Sequence, residues 1–527
     1  MSEPPDSRSA TDATASRGVH TSTERQQPAS AASATGRTRR RLGRFAQLWI
    51  SYPLLLLVAM LAWSVSSPPG SSPDEDFHLV SAWCALGTRD GLCSPGATAA
   101  TRVVPTDVVQ VACFKFEPAM PGECPSAPGQ MIETNRGNFA SYYPNGFYTT
   151  MGLLAGPSVE QSVIGMRVLN SVLYAVGLAA LLYLAPVRRR QGYALGSLAT
   201  LVPLGIFVIA STNPSSWAVT SATLIWASAV ELARATERRT RIGFALLGAF
   251  GLTLAFASRA DAAAYAGLAI GLALLLTVKV GRRMALYAGG VAVFLVVIFF
   301  WAQSFRSAGI LGFGPPANAE GPVAGWFQNL LDLPNLYAGS FGTRKLGWLD
   351  TTMRPMTWVL AGSAYVMVIF LGLRRCSWRK AVALSIVGVL ALAAPMVIAT
   401  ARQASLFGAV QPRYFLPLLI LFAMIAIIED NLDGLELEPA RAVMLVSAIA
   451  VAHASALHTN LRRYLTGLDE TWFNLNNGID WWWSWAPPPM VVLGIGAAAF
   501  AGAAVAVAFA PGSDRRTASA APRRALT

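Results

Sequence analysis

The sequence predicts an all-α integral membrane protein of about twelve transmembrane helices, and three observations carry that expectation. Only 13% of its 527 residues are charged and 54% are hydrophobic, whereas a soluble chain carries about a quarter charged residues. Apolar stretches long enough to cross a hydrocarbon core of roughly 30 Å as helices recur from Gln47 to Phe509. Arginine-rich clusters stand at alternate ends of these stretches, which is the pattern of the positive-inside rule. The net charge of +13 therefore reads as topology, and no nucleic-acid partner is expected.

In chain order, residues 1–45 are rich in Ser, Thr, Ala and Arg and cannot bury a core, so a disordered basic cytoplasmic tail is expected there. A polytopic domain follows over 46–510. Its spans are expected near 47–66, 162–186, 192–210, 216–233, 242–258, 262–278, 284–303, 355–373, 381–400, 412–428, 440–458 and 489–510. The clusters Arg37–Arg44, Arg188–Arg190, Arg234–Arg241, Lys279–Arg283, Arg374–Lys380 and Arg515–Arg524 then share the cytoplasmic side with both termini, the second tail being 511–527. Outside lie a first loop at 67–160, a second at 304–354 and a Trp-rich one at 459–488. The first two are too long to be mere connections.

Four cysteines, Cys84, Cys93, Cys113 and Cys124, fall in the first outside loop, and Cys376 falls inside. Four in an oxidising space suggest two disulfides. Three connectivities are possible; pairing sequence neighbours, Cys84 with Cys93 and Cys113 with Cys124, is favoured because short loops close easily. Four buried free thiols are the alternative. The run Asn138–Pro157 is aromatic and apolar but too broken to span, and reads as interfacial or re-entrant.

Candidate chemistry begins just beyond the first span, at Ser72-Pro73-Asp74-Glu75-Asp76-Phe77-His78. Ser72 as N-cap, Pro73 at the first helical position and Glu75 three residues after the cap would form a capping box. That leaves His78 unexplained, since at i+4 from Asp74 and i+3 from Glu75 it shares their helix face. Carboxylate and imidazole together can bind a divalent metal such as Mg or Mn, or share a proton. Asp74 and Glu75 are the candidate bases and His78 the metal or proton partner. Arg167, Arg259, Asp261 and Arg413 lie near outer span ends, where arginines either snorkel and pair with carboxylates or bind a lipid-borne phosphate. Arg344 and Asp350, in the run Gly342–Thr351, could contact substrate or simply end a solvated loop. Trp472, Trp481, Trp482, Trp483 and Trp485 read as an aromatic belt, with a sugar-stacking platform as the alternative. No Walker loop, dinucleotide fingerprint or paired-Cys zinc spacing occurs, so nucleotide-driven transport and soluble-cofactor redox chemistry have no support.

Pro73-Asp74-Glu75-x-x-His78, Tyr143-Pro144, Arg167-x-x-Asn170, Leu346-Gly347-Trp348-Leu349-Asp350-Thr351 and Gln411-x-Arg413-Tyr414-x-x-Pro417, in this order, resemble the bacterial domain-of-unknown-function 2142 membrane family over roughly Gln47 to Phe509. The layout is also similar to the GT-C class of integral-membrane glycosyltransferases, a fold-level analogy. That resemblance implies a multi-pass protein of the bacterial plasma membrane. It would transfer sugar from a polyprenyl-phosphate donor to an envelope glycan or glycolipid acceptor on the extracytoplasmic face. Asp74 or Glu75 would match the acidic catalytic position, and Arg167, Arg259, Arg413 and Tyr414 would hold the lipid phosphate. A transporter or flippase of an envelope lipid or polysaccharide, or a non-catalytic envelope-assembly partner, are the alternatives.

Overall fold

The computed structural model describes residues 31–510 apart from residues 280, 306–324, 375, 429–436 and 480, with side chains from Leu48 onward. The chain divides into two units, residues 1–44 and 45–527. Helix α1 (Ala31–Val65) begins inside the stretch expected as a disordered tail; residues 1–30 and 511–527 lie outside the described residues.

The first outside loop is a small layer of its own, built of α2 (Glu75–Cys84), β1 (Ser94–Pro95), β2 (Arg102–Pro105), α3 (Thr106–Val109), β3 (Met131–Thr134) and α4 (Asn145–Gly152). The three strands pair antiparallel in the order β1-β2-β3, a small departure from the all-α expectation. Both favoured disulfides are present, Cys84–Cys93 and Cys113–Cys124. The layer needs them because its core is small. That core, with Leu79, Trp83, Phe114, Phe147 and Met151, also takes in Trp217, Trp348 and Tyr464 from distant segments.

Helices then follow one another as α5 (Val159–Leu184), α6 (Val187–Leu198), α7 (Leu204–Ile209), α8 (Ser215–Arg234), α9 (Arg238–Ser258), α10 (Ala260–Thr277) and α11 (Arg282–Ala302). The remainder are α12 (Trp326–Ala338), α13 (Pro355–Gly372), α14 (Trp378–Ala401), α15 (Leu406–Ala409), α16 (Pro412–Ile427), α17 (Pro439–Leu465) and α18 (Pro489–Ala508). Local chemistry explains several boundaries. Ser158 and Ser377 cap α5 and α14 by accepting from the N–H groups of Gln161 and Lys380. Proline opens α13, α16, α17 and α18, where its missing N–H would have had no helical acceptor.

Among the described residues nine helices are long and apolar enough to cross a membrane: α1 over Leu48–Val65, α5, α9, α10, α11, α13, α14, α17 and α18. The other three expected spans differ in kind. The stretch 192–210 is broken into α6 and α7 around Pro203, which cannot donate to a helical ladder. Helix α16 is shorter, at 16 residues. Helix α8 is rich in buried polar side chains, among them Ser216, Thr220, Ser221, Thr223 and Ser228. Thr220, Ser221 and Thr223 donate back to carbonyls of their own helix, so their polarity is tolerable away from water.

Two sets of helix ends are stitched together. At one end Arg189 and Tyr193 both reach Glu231 Oε1 at 2.6 Å. There Gln191 donates to the Val507 carbonyl, Arg379 to that of Val278 and Lys380 to that of Gly372. At the other end, side chains from α5, α16 and α17 and the turn before α8 meet the α1–α2 corner.

Candidate functional site

The corner between α1 and α2 is where the chain's long-range polar contacts converge. Helix α1 leaves its last carbonyls without helical donors, and Arg167 from α5 supplies one to Ser64 and two more to the turn just beyond the helix. Its guanidinium donates to the carbonyls of Ser64 (2.9 Å), Ser67 (2.7 Å) and Pro68 (2.8 Å). The same guanidinium pairs with Glu75, 3.2 Å from Oε2. Glu75 also accepts from the backbone N–H of Ser72 at 2.9 Å and of Thr212 at 3.3 Å. Its side chain has 0% exposure, so both oxygens are engaged inside the protein.

The expected capping box therefore forms only on its Glu75 side. Ser72 Oγ is buried without a partner among the described residues, and the helix begins at Glu75 with Asp74 as its N-cap. Asp74 takes a left-handed backbone, φ 58, a conformation that aspartate tolerates better than most L-residues. The Pro73 carbonyl before it is held by Asn213 at 2.8 Å and by Arg413 at 3.1 Å. The result separates three adjacent acids. Glu75 is buried. Asp76 is 4% exposed and tied to Lys115 and, bidentately, to Arg136. Asp74 alone keeps 40% of its side chain exposed.

Around Asp74 stand two arginines and a set of aromatic rings. Arg413, at the start of α16, is 2.6 Å from Asp74 Oδ2, and Arg136 is 3.6 Å from Oδ1. Arg259, between α9 and α10, is locked bidentately to Asp261 at 2.8 and 2.7 Å. The guanidiniums of Arg259 and Arg413 both face the Tyr414 ring, 4.6 Å from its centroid for Arg259 and 5.2 Å for Arg413, a favourable cation–π arrangement. Arg259 also lies 5.8 Å from the centroid of Tyr143. Arg413 Nε is buried with no acceptor among the described residues.

His78 bonds through Nδ1 to the Tyr148 hydroxyl at 2.9 Å. Burial pushes its pKa down to about 3, with Asp74 only partly opposing this, so the ring is neutral. Burial raises the Tyr143 hydroxyl to about 12. Burial alone would raise Asp74 too, but the charges of Arg413 and Arg136 outweigh it and hold the carboxyl below its ordinary value. Among the described residues no three His, Cys, Asp or Glu side chains converge on a possible metal position. With guanidiniums on Asp74 and Tyr148 on His78, the donor set does not fit a divalent ion.

Of the residues singled out from sequence, Asp74, Glu75, His78, Arg167, Arg259, Asp261, Arg413 and Tyr414 thus belong to one region. Arg344 and Asp350 do not join the Asp74 cluster. Arg344 stacks on Phe407, 3.5 Å from the ring centroid. Asp350 is buried against Arg463 at 2.8 Å, and its neighbour Trp348 donates to the Gly70 carbonyl at 2.8 Å. That run fastens the second outside loop to the first. In the Trp-rich loop, Trp483 donates to the Val65 carbonyl, an anchoring role. Sequence reasoning missed Arg136, Tyr148, Asn213 and Arg463 as members of these networks. Only Arg463 carried a signal, as a charge at the end of an apolar helix.

The family model described as "Predicted membrane protein (DUF2142)" matches residues 56–422. The matched segment contains the Asp74 cluster and stops before α17 and α18, short of the extent expected from sequence. No curated protein and no solved structure matches the chain.

Proposed function

Since the chain belongs to the DUF2142 family of predicted membrane proteins, we propose that this multi-pass protein transfers a sugar from a polyprenyl-phosphate donor to an envelope acceptor, with Asp74 as its base. The carrying observation is the division of labour at the α1–α2 corner. One carboxylate of three is exposed, and it sits beside two buried arginines that share an aromatic ring. Guanidiniums suit a phosphate by forked hydrogen bonds.

In this reading the acceptor hydroxyl oxygen attacks the anomeric carbon of the donor sugar. The bond from that carbon to the phosphate oxygen breaks, and its electron pair leaves with the polyprenyl phosphate. The hydroxyl proton passes to an Asp74 carboxylate oxygen and thence to water. Arg413 and Arg259 stabilise the charge gathering on the departing phosphate. Glu75 and Arg167 act as positioning residues that fix the corner. The reading adopts the GT-C-like layout, puts the outer ends on the extracytoplasmic side and both termini in the cytoplasm, and takes lipid-linked sugar because nucleotide sugars are absent outside the cell.

The test is transfer of labelled sugar from polyprenyl-phosphate donors to envelope acceptors in vesicles. Asp74→Asn should lower transfer by about 10²- to 10⁴-fold at equal folded amounts. Undiminished transfer would remove Asp74 from the chemistry.

A further inference from the structure

A cavity of about 540 Å³ lies at the outer ends of α13 and α17, apart from the residues of the Asp74 cluster. Its lining carries both signs of charge: Arg354 and Arg462 on one hand, Asp469 and Glu470 on the other. Arg462 is only 2% exposed, and its Nε is buried with no acceptor among the described residues. Its other nitrogens donate to Thr466 Oγ1 and to the carbonyls of Trp472 and Asn474. Among the described residues no carboxylate stands within ion-pair distance of Arg462 or of the exposed Arg354. The contrast with the adjacent Arg463, paired at 2.8 Å with Asp350, is informative. Glu470 is the carboxylate whose charge reaches Arg462, while the Arg354 guanidinium repels it; two like charges near one cavity, neither in a close ion pair among the described residues, favour an anion there.

The walls are built rather than incidental. Leu468 donates from its backbone to the Pro118 carbonyl at 2.9 Å, and Gly467, at φ +93, lies so close to Ala119 that a Cβ would collide with its carbonyl oxygen. Position narrows the ligand. Helix α13 begins at Pro355 and α17 ends at Leu465, and both are long and apolar enough to span, so the cavity opens at the level where lipid headgroups lie.

We infer that this cavity binds the headgroup of a membrane phospholipid bearing a primary amine, an ethanolamine phosphodiester. Its phosphate sits on Arg354 and Arg462 and its ammonium on Asp469 and Glu470. A purely anionic headgroup would leave the two carboxylates repelling it, and a quaternary amine would have no N–H to give them.

The test delipidates the full-length protein, equilibrates it with vesicles of phosphatidylethanolamine, phosphatidylglycerol or phosphatidylcholine, and counts retained lipid by mass spectrometry. The ethanolamine lipid should be retained about tenfold better than either other lipid, and Arg354→Gln and Glu470→Gln should each lose about that factor. Arg354 is exposed and Glu470 half-buried, and they are chosen because Arg462 also holds backbone carbonyls and its loss could unfold the loop. A thermal unfolding scan accompanies each variant. Equal retention of the three lipids, a preference for phosphatidylglycerol, or variants that retain as much as the unmodified protein would overturn the inference. A further arm offers soluble glycerophosphoethanolamine. Displacement only at concentrations far above that of the lipid supports a bilayer source, and displacement at comparable concentrations overturns it. The outcome is independent of sugar transfer.

Discussion

Arg413 and Asp74 lie 339 residues apart in the chain, yet Nη2 of one is 2.6 Å from Oδ2 of the other. The same arginine donates to the Pro73 carbonyl, so it grips both the backbone and the side chain of the turn that sets Asp74 in its left-handed conformation. One guanidinium therefore aims the carboxylate and keeps it ionised.

This coupling has a direction in pH. A carboxyl whose folded pKa is depressed contributes stability above its unfolded value and loses it as pH falls through the folded value. Arg413→Gln removes the leading opposing charge, so the acid limb of the transfer–pH profile should move upward while the alkaline limb stays. An acid limb at the same pH in both proteins would mean that Asp74 does not govern it.

Glu75→Gln and Arg167→Met should behave differently from Asp74→Asn. Each leaves half of a buried pair without its partner, a loss of about 3–5 kcal/mol. The expected result is a lower unfolding temperature and less folded protein, with the remaining folded fraction of Glu75→Gln retaining transfer. Full stability in both variants would contradict the contacts at the α1–α2 corner.

For His78 the sign is the opposite of that for a paired histidine. Its pKa lies near 3 in the folded protein, against an ordinary 6.5, so the unfolded chain binds more protons between those values and stability falls as pH drops through that window. His78→Gln should show a flatter dependence of unfolding temperature over the same range. Parallel curves for the two proteins would count against a buried neutral imidazole.

Cysteine labelling reads the topology. The four loop cysteines are paired, whereas Cys376 is free and exposed. An impermeant maleimide should label the protein from the cytoplasmic side alone until a reductant is added outside, when the loop thiols become reactive. Labelling of Cys376 from the outside would invert the orientation.

Much of this was legible in advance because the signals are local. Apolar length announced the helices, and short spacing the pairs Cys84–Cys93 and Cys113–Cys124. The acidic run announced a helix start but misplaced its cap, because Ser72 supplies a good local cap while Asn213 and Arg413, from elsewhere in the chain, hold the Pro73 carbonyl. Distant partners left no trace in a local reading. Asp350 reads as a loop residue until Arg463 is brought against it, and Asn213 as a turn residue until it meets the Pro73 carbonyl. The stretch 192–210 is interrupted for a simpler reason, the missing N–H of Pro203.

The first and last outer loops are joined by backbone hydrogen bonds, Gly122 to the Tyr464 carbonyl and Leu468 to that of Pro118, with Arg463 donating to the carbonyls of Phe114 and Met120. During synthesis, which proceeds from the N-terminus, the early loop must wait for more than three hundred residues before its partners emerge. Its disulfides can form in that interval, but its closing contacts cannot. A ribosome that stalled before α17 would thus leave a crosslinked yet unfinished surface, open to quality-control proteases.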